Sequence, residues 1–89
     1  MTGNDELFIQ LILIFHQNAI MAMGKLKNPV SDKIERDLVQ AKQSIDMLEM
    51  IKEKTQNNIS TELTRTLEHA LTELRLNYVD ETNKQPTTT

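Results

Sequence analysis

Three constellations in this 89-residue chain hold side chains capable of chemistry. His69 and Glu73 stand four residues apart, so on a helix both face one side and could hold one metal ion. A zinc or related site needs three or four such ligands, and this neighbourhood adds only Glu62 and Glu68. A solvated His–Glu pair is the expectation. Asp46, Glu49 and Glu53 share a second helical face, but carboxylates do acid–base work only in a cleft that shifts their pKa values. Here they oppose an apolar stripe and read as a charged surface. His16 interrupts a run of apolar residues together with Gln17 and Asn18. Catalysis by His16 would need an orienting carboxylate and a nucleophile, and no such motif surrounds it. A polar contact or register-fixing group in a helix interface fits better. No phosphate-binding loop, nucleophile elbow or metalloprotease motif occurs. The expectation is a protein with no catalytic residues, no metal and no cofactor.

Those residues sit on segments whose pattern is helical. Two prolines and two glycines occur in the whole chain, too few for the turns of a β protein. A first helix is expected over about 5–23, ending at Gly24 in a left-handed cap, with Lys25 and Lys27 at its negative end. Asn28-Pro29 blocks continuation. A second helix is expected over about 32–56, capped by Ser31 or Asp32, with the stripe Ile34, Leu38, Ala41, Ile45, Leu48 and Ile51 and an exposed Asp32–Arg36 pair. Asn57-Asn58 ends it. A third follows over about 61–79, capped by Ser60, with the stripe Leu63, Leu67, Ala70 and Leu74 flanked by Leu71, Tyr78 and Val79. The short link makes the second and third helices an antiparallel hairpin, in which Ala41 and Ala70 allow close approach. The fold class expected is all-α. Residues 1–80 form a single helical domain, and 81–89, without an apolar residue, form a disordered polar tail.

The first helix carries more apolar surface than two amphipathic helices can cover. Thirteen of the seventeen residues from Leu7 to Met23 are apolar, whereas a surface helix buries one stripe. Leaving three or four Leu, Ile or Phe side chains exposed forgoes several kcal/mol at about 25 cal/mol per Å². Self-association is the economical remedy, as a homodimer or higher oligomer. Phe8, Leu11, Ile12, Phe15, His16, Ala19 and Met23 are the expected interface. With no cysteine, neither disulfides nor thiolate–zinc sites can reinforce so small a core.

Other partners fit less well. The formal charge is −3 with signs interleaved: seven Lys/Arg against six Asp/Glu over 25–59, three against five over 60–89. Nucleic acid needs clustered cations and stacking aromatics, so it is not an expected partner. The apolar run is short for a membrane span and is interrupted at His16–Asn18. It also lacks the leading cation and cleavage site of a signal peptide. A cytoplasmic protein is expected, with no membrane association. Docking of helix 5–23 on a membrane surface or an unknown protein partner is the alternative, but that helix lacks the cationic face usual for lipid binding.

The order Gly24-Lys25-Leu26-Lys27-Asn28-Pro29-Val30, Asp37-Leu38, Ala41-Lys42, Ile45-Asp46-Met47-Leu48, Glu53-Lys54-Thr55 and Leu74-Arg75-Leu76-Asn77-Tyr78-Val79 resembles the domain of unknown function 1844 family. The likeness spans about residues 7–79. It departs at Asn58, where glycine is typical, and at Leu63, where an acidic capping residue is usual. The resemblance implies a helical, cytoplasmic bacterial protein and no activity, so no functional residue carries over.

Overall fold

The computed structural model describes residues 2–84. Helix α1 spans Gly3–Ala22, strand β1 Met23–Asn28, strand β2 Lys33–Arg36, helix α2 Leu38–Lys54 and helix α3 Thr61–Lys84. The three expected helices are present, but a two-stranded antiparallel sheet corrects the all-α expectation.

Helix α1 begins earlier than expected because Thr2 and Asp5 form a capping box. The Thr2 hydroxyl accepts the Asp5 amide at 3.1 Å, and the Asp5 carboxylate accepts the Thr2 amide at 3.3 Å. Gly24 follows the helix with φ +82°, the left-handed cap its type suggests.

The second helix starts at Leu38, not near Asp32. Asn28 accepts the Val30 amide through its side chain at 2.9 Å, and its carbonyl accepts the Asp32 amide at 2.7 Å. Asp32 itself takes φ +57°, so it reverses the chain and caps no helix. Strand β2 then pairs back on β1 with Lys27 opposite Ile34 and Met23 opposite Arg36. The hairpin has a structural reason to prevail over one more helical turn. It brings the Asp37 amide within 2.7 Å of the Ala22 carbonyl, which α1 otherwise leaves unpaired at its end. Asp37 becomes the N-cap, accepting the Gln40 amide at 3.2 Å. Ile34, counted in the helical stripe, is therefore a strand residue and 58% exposed. The expected Asp32–Arg36 pair does not form; Arg36 reaches Glu81 instead.

From Leu38 onward the helical reading holds. Leu38, Ala41, Ile45, Leu48 and Ile51 are buried, and so are Leu63, Leu67, Ala70, Leu71 and Leu74 of α3. Asn57 takes the left-handed conformation between the two helices, with φ +66°. The Ser60 hydroxyl accepts the Leu63 amide at 3.1 Å, so the leucine at that position still receives its cap. Ion pairs Glu49–Arg75 at 2.9 Å and Lys52–Glu68 at 3.5 Å run in opposite sequence order, which makes α2 and α3 antiparallel.

Helix α3 continues to Lys84, past its expected end at about Val79 and into the stretch 81–89 expected to be a tail. Glu81 explains the continuation. It is 6% exposed, and its carboxylate meets Arg36 Nε at 3.1 Å, Lys25 Nζ at 3.4 Å and Lys84 Nζ at 3.2 Å. Arg36 also donates to the Glu81 carbonyl at 2.9 Å. The cations of the β-hairpin thus hold the last turns of α3 in place. The rest of that expectation, residues 85–89, lies outside the described residues.

Candidate interaction surface

Helix α1 packs against both other helices, and the face it turns inward is the one expected to meet a second chain. Ile12, Ala19 and Met23 are 0–1% exposed within the single chain, and Phe8 and Phe15 pack against the same core. Only Leu11 of the expected apolar interface residues remains at the surface. The physical reason is angular. Residues 8, 12, 15, 19 and 23 are spaced four, three, four and four, which is one continuous helical stripe. Once α2 and α3 fold into a hairpin, that stripe faces their groove.

His16 sits at the border of this stripe and points toward α3, where its Nε2 pairs with the Glu73 carboxylate. Glu73 therefore pairs across helices with His16 and not with His69 on its own helix. The pair is partly exposed, with its side chains 28% and 52% accessible, so its contribution is that of a surface contact. Among the described residues, no group of three or more His, Asp or Glu side chains is placed to hold a metal ion. Two carboxylates of the second constellation are taken up separately, and the third, Glu53, lines the crevice between α2 and α3. Asp46 pairs with Lys42 at 2.9 Å and Glu49 with Arg75. The hydrogen bond and the charge of Asp46 raise the Lys42 pKa. An open crevice between the ends of α2 and α3, lined by Glu49, Lys52, Ile59, Thr64, Leu67 and Glu68, has a mixed polar and apolar wall and is bridged by the Lys52–Glu68 pair.

The outward side of α1, flanking that stripe, has no such partners. Leu7 is 61% exposed, Leu13 56%, Ile14 54% and Leu11 37%. Leu7, Leu11 and Ile14 share one stripe by their four- and three-residue steps, and Asn18 and Met21 continue it toward the hairpin. Along its edge runs a crevice lined by Asn18, Met21 and Ala22 on one side and Asp37, Gln40 and Ser44 on the other. The neighbouring helix is α2, antiparallel to α1. One further turn along each helix brings Ile14 level with Met47, itself 43% exposed. The signal for this face was in the sequence: Leu7 to Met23 contains no Asp, Glu, Lys or Arg. What the sequence alone left open was which stripe of that run would turn inward.

No helix among the described residues is long and apolar enough to cross a membrane. The family model described as a domain of unknown function, DUF1844, matches residues 6–81, from the first turn of α1 to the buried Glu81. No curated protein and no solved structure matches the chain.

Proposed function

The chain belongs to the domain of unknown function 1844 family, which supplies no activity, and we propose that it works as a non-catalytic, homo-oligomeric interaction module. The observation that carries this reading is the outer stripe of α1. Leu7, Leu11 and Ile14 stand on one well-formed helix, at 37–61% exposure, beside a core that already uses the neighbouring stripe. Contiguous apolar surface on a rigid element marks an association site more often than scattered leucines do. Burying those three side chains stabilises an assembly by several kcal/mol at about 25 cal/mol per Å². The separation of the His16–Glu73 and Lys42–Asp46 pairs into two surface contacts favours an interaction role over an acid–base one.

Light scattering coupled to size-exclusion chromatography, run from low to high micromolar concentration, tests the reading. A mass that rises to a multiple of 10.3 kDa supports it. A monomer at every concentration ends it.

A lipid-facing role is the second reading, and one observation favours it. Val30 is 94% exposed at the hairpin tip, between Lys25 and Lys27 on β1 and Lys33 on β2. Flotation with anionic vesicles separates the two. Lipid-dependent flotation that Val30→Ser abolishes supports membrane docking, and absence of flotation removes it.

A further inference from the structure

Two segments at one end of the bundle bury almost nothing apolar. Across residues 24–37 every side chain is exposed or half-buried, and Leu26, Val30 and Ile34 of the hairpin lie on the surface. In α3 the buried apolar stripe ends at Leu74, and Tyr78 is the last side chain packed against the core. Across residues 79–84 the one buried residue is Glu81, a carboxylate.

Neither segment has the means to be stable by itself. A two-stranded hairpin is marginal in water, and here the register shifts between Met23 and Lys27, which interrupts the ladder. A helix end that packs no apolar stripe frays, because helical stability comes mainly from such packing. Each segment therefore needs a contact outside itself. The polar contacts between them converge on Glu81.

That contact takes in both strands and the helix. Lys25 reaches the Glu81 carboxylate from β1 at 3.4 Å, and Arg36 reaches it from β2 at 3.1 Å. Arg36 also donates to the Glu81 carbonyl at 2.9 Å, so it holds main chain as well as side chain. Its aliphatic stem lies over Gly24, where an added β-carbon would stand 3.4 Å from Arg36 Cβ. Arg36 thus ties the base of the hairpin to the last turns of α3. The hairpin joins the core at Met23 and Leu38, both buried. It can part from the helix end without disturbing the stripes that pack α1, α2 and α3.

We infer that residues 24–36 and residues 79–84 form one clasp at the end of the bundle, which opens and closes as a unit while the three-helix core stays folded. Two weak segments that hold each other share one opening equilibrium, and the coupling between them is reciprocal. The clasp is independent of the oligomeric reading, since it involves the end of the molecule at Glu81 and not the outer stripe of α1.

Amide hydrogen exchange, followed residue by residue on the full chain, tests this. In wild type the amides of the β1–β2 ladder and those of residues 80–84 are expected to show one common protection factor, lower than that of Leu48 and Leu67. Glu81→Ala keeps a strong helix former in α3 and is expected to lower protection of the hairpin ladder about tenfold, the scale of a lost charged hydrogen bond. Asn28→Ala perturbs the clasp from its other side. It removes the side-chain bond to the Val30 amide at 2.9 Å and touches no contact of Glu81. It is expected to lower protection of the hairpin and of residues 80–84 by the same factor, about threefold or more. Leu48 and Leu67 staying the more protected in both variants reports a folded core. Hairpin protection unchanged in Glu81→Ala, or helix-end protection unchanged in Asn28→Ala, overturns the inference. So does a wild type in which either segment exchanges only as slowly as Leu48 and Leu67, because both would then open by global unfolding alone.

Discussion

Arg36 and Glu81, 45 residues apart in sequence, join the β-hairpin to the end of α3 through two contacts of 2.9 and 3.1 Å. Lys25 and Lys84 complete the ring of cations around the same carboxylate. Glu81 is 6% exposed, enclosed by the side chains of these partners. Replacing it with Ala removes three ion pairs and leaves Arg36 and Lys25 with partial access to water. The expected loss is about 1–3 kcal/mol, read as a lower denaturant midpoint, with the last turns of α3 exchanging amide hydrogens faster than the rest of the helix.

The same group makes stability depend on pH. Burial alone pushes the Glu81 carboxyl upward, but hydrogen bonds from Lys84, Arg36 and Lys25 outweigh it and hold the pKa below its ordinary value of 4.5. A carboxylate depressed in the folded state binds fewer protons there than in the unfolded chain. Its contribution is therefore complete above the unfolded value and is lost as pH falls through the lowered native one. Wild type is expected to lose more stability than Glu81→Gln between pH 5 and the acid range, about 5 marking the onset of carboxyl protonation. Parallel denaturation curves at stepped pH check this; equal slopes for the two proteins contradict it.

Two stripes of α1 separate core from surface. Ile12→Ala empties a site 1% exposed and is expected to cost about 2–5 kcal/mol. Leu7→Ser changes monomer stability by about 1 kcal/mol or less, because its side chain is 61% exposed. Chemical denaturation at a concentration low enough to keep the chain monomeric distinguishes them.

His16→Ala is a milder change. Its pair with Glu73 is partly solvated, so the expected effect on stability is about 1 kcal/mol or less. The variant is expected to associate like wild type, as His16 faces α3 and not the outer stripe. Light scattering checks the second point.

Much of the helical framework was legible in residue spacing, because Leu38 to Ile51 and Leu63 to Leu74 repeat with the period of the surface they bury. Ser60 and Gly24 are readable as caps for a local reason: side-chain oxygen and left-handed backbone are properties of the residue itself. The hairpin was not legible. Ile34 and Leu38 are four apart, as in a helix, and the competing bonds of Asn28, Asp32 and Asp37 depend on where α1 ends. Glu81 was hidden for a related reason, since a carboxylate in a polar stretch reads as solvent-facing until Lys25 and Arg36 are brought to it. For α1, excess apolar content was visible and the inward stripe was not, so Ile12, Ala19 and Met23 looked like interface while Leu7 and Ile14 occupy the surface.

Sedimentation equilibrium of wild type beside the double variant Leu11→Lys/Ile14→Lys tests association through the outer stripe of α1 most directly. Wild type is expected to approach twice the 10.3 kDa chain mass as concentration rises, while the variant stays at 10.3 kDa with unchanged helical content. A wild type that remains monomeric at high micromolar concentration, or a variant that associates as wild type does, contradicts it.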